Sequence, residues 1–129
     1  MRVMFPALMA LGLLAAAAPA LSAPPAPNPA VKGKLIFMRC AACHAVSASA
    51  PKKVGPHLEG VVGRTAGSVA GFTYSPAMKK AAIKWNDAAL DKWLARPAGM
   101  VPGTSMVFAG LPNPADRAAV IAYLKKPVP

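Results

Sequence analysis

Acidic residues are scarce in this 129-residue chain: four Asp and Glu stand against fifteen Lys and Arg, for a formal net charge of +11. So positive a chain calls for an acidic partner, whether nucleic acid, anionic membrane or acidic protein. The basic residues are scattered and form no arm, which argues against nucleic acid. Cysteine is nearly absent. Cys40 and Cys43 are the only two, three positions apart. A bridge that short closes almost no loop and adds little stability, so the pair is there for chemistry. Histidine is equally rare, with only His44 and His57. Structural zinc takes four N or S ligands. The whole supply would be Cys40, Cys43, His44 and His57, and adjacent Cys43 and His44 are awkward ligands for one tetrahedron. No strand pattern is visible, which removes the βαβ setting of a thioredoxin-type Cys-x-x-Cys. There is no internal repeat.

The N-terminus is a different kind of segment. Arg2 is a short positive region, Val3 to Ala18 is almost continuously apolar, and Ala18-Pro19-Ala20-Leu21-Ser22-Ala23 is built of small residues. That layout is a secretory signal peptide, expected over residues 1–23 with cleavage after Ala20, Ser22 or Ala23. The run is short for a bilayer span of about 20 residues, and no cationic flank follows it, so cleavage is favoured over an uncleaved anchor. Removing Arg2 lowers the charge from +11 to +10. About 105 residues then remain, one small domain whose limited core gains from a metal or cofactor. The expected location is the bacterial periplasm.

Residues 24–30 carry Pro24, Pro25, Pro27 and Pro29 and read as a stiff tether. The domain is expected over 31–129. From Val31 to Ala42 the apolar positions Val31, Leu35, Phe37 and Met38 read as an inward helix face, with Lys32, Lys34 and Arg39 outside. Ser47 to Gly71 is glycine-rich loop. Ser75 caps a short helix opened by Pro76. Asn86 or Asp87 caps another, through Leu90, Trp93 and Leu94 and ending at Pro97. Ala98 to Asn113 is again loop, and Pro114 to Lys126 is the last helix, its charge order suiting the helix dipole. The class is all-α, with about four to five helices and long loops that need something to pack on.

Cys40-Ala41-Ala42-Cys43-His44 is the attachment pattern of a c-type haem. Two thiols about one helical turn apart reach the two vinyl groups on one porphyrin edge, and the adjacent His44 presents its imidazole to the iron. Methionine is the usual sixth ligand beside histidine. Met38, Met78, Met100 and Met106 are available. Met38 precedes the motif on the same helix and cannot reach the opposite haem face. Met106 lies in the loop Val101-Pro102-Gly103-Thr104-Ser105-Met106, which ranks it above Met100 by a small margin.

Taken together these segments resemble the class I cytochromes c, the soluble short-chain mitochondrial and bacterial members above all. The likeness runs from Lys32 to Lys126. It is carried by Lys32-Gly33-Lys34-Leu35-Ile36-Phe37, Gly55-Pro56-His57-Leu58-Glu59-Gly60, Gly71-Phe72-Thr73-Tyr74-Ser75, Ile83-Lys84-Trp85, Pro102-Gly103-Thr104-Ser105-Met106-Val107-Phe108-Ala109-Gly110 and Ile121-Ala122-Tyr123-Leu124-Lys125-Lys126. The resemblance implies a cytochrome c fold wrapped round one covalent haem c, with His44 and Met106 on the iron. It also implies that the Pro56 carbonyl accepts from His44, that Arg64, Tyr74 and Trp85 hold a propionate, and that Thr104 and Phe108 flank the ligand. Gly33 and Phe37 would pack on Val120 and Tyr123. Three positions depart from the family pattern: Trp93 and Met78 replace a common tyrosine and asparagine, and His57 replaces a loop asparagine and reads as a surface residue. The lysines that commonly follow Pro97 and Met106 are missing.

The implied function is a monomeric one-electron shuttle and not an enzyme, since both axial positions would be filled by protein. Its partners would be acidic redox proteins: a cytochrome oxidase, a cytochrome bc-type complex, a reaction centre or a periplasmic dehydrogenase. Membrane contact would be transient docking. Lys52, Lys53 and Arg39, with Lys79, Lys80 and Lys84, would steer the approach. The uncharged stretch Val107, Phe108, Ala109, Leu111 and Pro112 would touch the partner. A haem peroxidase or ligand-binding cytochrome, in which Met106 dissociates, and a module anchored to one complex are the rivals.

Overall fold

The computed structural model describes residues 22–129. The leader expected over residues 1–23 lies, but for its last two residues, outside them. Five helices follow in order: α1 (Pro29–Ala41), α2 (Pro76–Lys80), α3 (Asp87–Ala95), α4 (Pro97–Met100) and α5 (Pro114–Lys125). Among the described residues there is no strand, only an isolated antiparallel bridge between Thr65 and Lys84. None of the helices is long and apolar enough to cross a membrane.

Each start has a local cause. The Asn28, Ser75, Asn86 and Asn113 side chains accept from backbone N–H groups of the first turn, offsetting the unpaired donors there. Pro29, Pro76 and Pro114 stand in the first turn, where a missing N–H costs nothing. The Asn28 cap starts α1 two residues inside the stretch read as tether. Pro97 ends α3 as expected but also opens a further turn, α4, closed by a 2.9 Å bond from the Val101 N–H to the Pro97 carbonyl. The same lack of an N–H that stops one helix suits the first position of the next.

The domain is organised by the packing of α1 on α5. Their meeting point is Gly33, where a Cβ would lie 1.9 Å from the Ala119 carbonyl oxygen and 2.8 Å from the Tyr123 Cβ. Only glycine permits that approach. One turn on, the Phe37 and Tyr123 rings sit 5.3 Å apart at 50°. The close neighbour of Gly33 is thus Ala119, while Val120, buried nearby, belongs to the core. The inward face of α1 is Ala30, Gly33 and Phe37. Of the four residues read as that face only Phe37 is buried; Val31, Leu35 and Met38 are exposed. The small residues win because close helix approach is worth more here than burial of larger side chains at a wider spacing.

α3 closes the other side. Arg117 forms an ion pair with Asp91 at 2.7 Å and donates to the Leu111 and Pro112 carbonyls at 2.9 and 3.0 Å. One largely buried guanidinium therefore ties α5 to α3 and to the loop before α5. Gly110, at φ +112°, brings this loop within 2.1 Å (from an added Cβ) of the Ala95 carbonyl. Leu111 then donates to the Leu94 carbonyl at 2.7 Å and is buried. Leu111 is accordingly a core residue and leaves the uncharged surface stretch expected of it.

Gly33→Ala forces α1 off α5. Overpacking of this kind costs about 1–3 kcal/mol, so chemical denaturation should show a lower midpoint with an unchanged slope.

Candidate functional site

The C-terminal end of α1 delivers the two cysteines. Cys40 lies in the last turn, half-buried, and Ala42 is the C-cap. The Cys40 carbonyl accepts from both the Cys43 N–H (3.0 Å) and the His44 N–H (2.8 Å), which winds the chain tightly enough to set Cys43 and His44 beside the helix end. Both thiols are free. Burial pushes the Cys40 thiol up, with Arg39 opposing in part. A reactive thiol has a lowered pKa, and Cys40 is shifted the other way.

The His44 ring is fixed from the following loop. Its Nδ1–H donates to the Pro56 carbonyl at 2.7 Å. That leaves Nε2 with its lone pair, the arrangement of a metal-ligating imidazole oriented by a carbonyl. Gly55 packs flat on the ring, where a Cβ would lie 2.5 Å from Cε1, and its N–H donates to the Cys43 carbonyl at 2.8 Å. Glu59 fastens the same loop: its carboxylate accepts from the Ala48 N–H at 2.6 Å. Sequence reasoning missed this contact, because an exposed Glu eleven residues from its partner leaves no pattern.

A second group gathers round Arg64. It is half-buried, and its guanidinium donates to the Glu59 and His57 carbonyls at 2.7 and 3.0 Å. Burial lowers its pKa, with Tyr74 opposing. Its backbone pairs with buried Trp85 at 2.9 Å, and the Tyr74 hydroxyl accepts from the Val69 N–H at 3.2 Å. Among the described residues every ion pair involves Lys32, Arg117 or Lys125, so Arg64 is a half-buried cation with no carboxylate beside it. His57, read as a surface residue, is half-buried, and its Nδ1 is buried without a partner.

The third group is the Met106 loop. Gly103, at φ +87°, turns the chain, and the Thr104 hydroxyl accepts from the Met106 N–H at 3.3 Å. Met106 and Phe108 are partly buried against the hydrophobic core, which includes Met78, Trp85, Trp93 and Leu94. The Trp85 and Trp93 rings lie 5.4 Å apart at 54°. The structure thus unites Cys40, Cys43, His44 and Pro56, and links Arg64 to them through His57. No hydrogen bond joins the Met106 loop to either group among the described residues. Two shallow depressions of about 510 and 430 Å³ border α5, and neither touches the cysteines, His44 or Met106.

Fold and site together define an all-α domain with free thiols, an oriented imidazole and a thioether loop, all set against an apolar core. Residues 30–126 match the family described as Cytochrome c. A cytochrome c2 of Rhodomicrobium vannielii is 53% identical over 94 residues, covering 73% of this chain and 75% of that protein. Cytochrome c2 iso-2 of Magnetospirillum fulvum is 55% identical over 89 residues, covering 69% and 92%. Among solved structures, cytochrome cH from Methylobacterium extorquens superposes with a TM-score of 0.70 at 44% identity, covering 74% of this chain and 96% of that one. The chain belongs to the cytochrome c family, and its fold is the cytochrome c fold. Its cofactor is therefore one covalent haem c, its work is electron transport, and it is not an enzyme. The residues present fit that group: an imidazole nitrogen left free, two thiols, a thioether partly buried against the core, and in Arg64 a half-buried cation suited to an anionic side chain.

Glu59 makes the loop that positions His44 sensitive to acid. The Ala48 N–H bond, with help from Ser47 and His57 and against desolvation, holds the Glu59 carboxyl below its usual 4.5. A lowered carboxylate contributes stability that is complete above pH 4.5 and is lost as pH falls through the folded value. Glu59→Gln should therefore lower stability at neutral pH, change it less at acid pH where Glu59 is already protonated, and so flatten the acid limb, as thermal melts at stepped pH would record.

Proposed function

We propose that His44 and Met106 are the axial ligands of the haem iron, attached through Cys40 and Cys43, and that the protein shuttles single electrons between periplasmic or membrane-bound partners. The observation that carries this reading is the 2.7 Å hydrogen bond from His44 Nδ1 to the Pro56 carbonyl. It turns Nε2 into the donor and strengthens it. The bound haem supplies a one-electron Fe(III)/Fe(II) couple. Pro56 and Gly55 hold the imidazole in one orientation. Thr104 pins the Met106 backbone, and Phe108 packs beside it. Arg64, Tyr74 and Trp85 receive a propionate, which answers the Arg64 charge. A methionine ligand would raise the reduction potential, and an iron held by both His44 and Met106 would offer no position to a substrate. The leader over residues 1–23 directs export, and the mature protein works as a monomer.

Met106→Ala should lower the reduction potential, let carbon monoxide bind the reduced protein and abolish the weak near-infrared band of iron–sulfur ligation. Met100→Ala should leave all three unchanged. The reverse pattern assigns the wrong methionine, and carbon monoxide binding by the unaltered protein favours a ligand-binding cytochrome.

Partner choice follows from charge. Asp87, Asp91 and Asp116 are all paired, with Lys125, Arg117 and Lys32. Three of the four carboxylates thus sit on α3 and α5, the fourth, Glu59, is tied to the Ala48 N–H, and Lys52, Lys79, Lys80 and Lys84 remain exposed elsewhere. An acidic redox protein, such as an oxidase, a bc-type complex, a reaction centre or a dehydrogenase, would be attracted over distances that salt screens beyond about 10 Å at 0.1 M. Exposed Val107 and Ala109, with half-buried Phe108, supply uncharged contact near Met106. Electron transfer to an acidic partner should slow as ionic strength rises. Lys52→Glu with Lys53→Glu should weaken that dependence more than Lys125→Glu with Lys126→Glu, as stopped-flow rates across a salt series would show.

A further inference from the structure

α1 is apolar on two opposite sides. Ala30, Gly33 and Phe37 face α5, and α5 is the only helix packed on α1 among the described residues. On the other side Val31, Leu35 and Met38 are 53%, 71% and 66% exposed. With exposed Ala42 they recur at helical spacing and form one stripe. The stripe runs off the helix end onto Cys43, itself exposed. Val54 extends it. The Lys53 ammonium donates to the Ala41 carbonyl and the Gly55 N–H to the Cys43 carbonyl, so Val54 between them, 82% exposed, stands at the same end. Single exposed apolar residues are ordinary, but a contiguous row marks an interaction surface.

The border of the stripe names its occupant. Lys34, Arg39 and Lys53 flank it, α1 contains no acidic residue, two of the three aspartates are paired away from α1, and the third, Asp116 of α5, is neutralised by Lys32. A second copy would set cation against cation, so self-association is disfavoured. A partner with an apolar strip edged by carboxylates is complementary. The position of the stripe then separates a protein from a lipid surface. It ends at the haem-attachment segment, where a docked redox protein can bring its own centre and a bilayer offers none.

We propose that Val31, Leu35, Met38 and Ala42, extended by Val54, form the docking strip for an acidic electron-transfer protein that exchanges electrons across the Cys43 edge. The proposal rests on the carrier reading above and adds the surface through which it acts. The cationic border sets the encounter rate, and the apolar strip sets the productive docked pose.

The haem-loaded mature protein is reduced, and its oxidation is followed with membranes and with soluble extract of the organism that makes it. Ferricyanide, too small to need the strip, serves as reference. Leu35→Gln with Met38→Gln preserves charge and alters only exposed side chains; circular dichroism and melting check the fold. With the faster cellular fraction this double variant should lose about tenfold in second-order rate. Its salt dependence should be unchanged and its ferricyanide rate within about twofold of wild type. Lys34→Gln with Arg39→Gln should do the converse, flattening the salt dependence with a smaller loss. A double variant that keeps the wild-type rate with cellular fractions overturns the proposal. So does an equal loss toward ferricyanide, which marks damage at the haem, and so does a wild-type protein that neither fraction oxidises. Weakened binding to protein-free phosphatidylglycerol vesicles without a change in the cellular rate assigns the strip to lipid and also overturns it. A protein that ferricyanide cannot oxidise refutes the carrier reading itself.

Discussion

A missing side chain at Gly33 lets α1 meet α5 at backbone distance, and the site depends on that contact. α1 has one buried face, and Gly33 sets its position on α5. Rotating or lifting α1 would carry Cys40 and everything after it away from the loop that holds His44. The Phe37–Tyr123 packing one turn later fixes the rotation. The Lys32–Asp116 pair adds a tie at the surface, where such pairs contribute about 0–1 kcal/mol. The position of the attachment segment is therefore a packing result, with electrostatics secondary.

Charge is distributed with equal economy. Of the four acidic residues, three pair with cations on α5 or at the α1–α5 contact, and the fourth binds a backbone N–H in the loop behind His44. Acidic side chains serve internal cohesion, and the remaining cations are left to the outside. A carrier must meet its partner quickly and leave quickly. An unneutralised cationic surface favours the first, and a small apolar contact without buried ion pairs permits the second.

Half-buried Arg64 shows the same logic turned inward. Its guanidinium takes two carbonyls, yet no carboxylate of this chain stands beside it. Burial without a counter-charge is costly, and the propionate contact proposed above would offset that cost, so that attachment of the haem would complete the electrostatics of the fold. This accords with a small domain whose loops are long and whose core is modest.

Much of this was legible in the chain. Ser75 and Asn86 announce helix starts because caps are local chemistry, whereas the Asn28 cap was hidden in a proline-rich stretch read as tether, and the Cys40–Cys43–His44 spacing announces its cofactor because reach along one turn is local geometry. Reading failed where the outcome depended on a neighbour far in sequence. Val31, Leu35 and Met38 looked like a core face because hydrophobicity was the only guide, and the winning face was built on glycine. Leu111 looked like surface because its burial comes from the approach of Gly110 to Ala95. His57 looked like surface because nothing local says that its Nδ1 is buried. Composition and spacing by themselves determined the all-α class, four of the five helices and the haem-attachment pattern, and the likeness of several motifs pointed to the family. The tertiary structure alone decided which imidazole nitrogen is free, which half-buried cation is held by carbonyls and no carboxylate, and which side of α1 faces the solvent, because each depends on contacts between residues that only folding brings together.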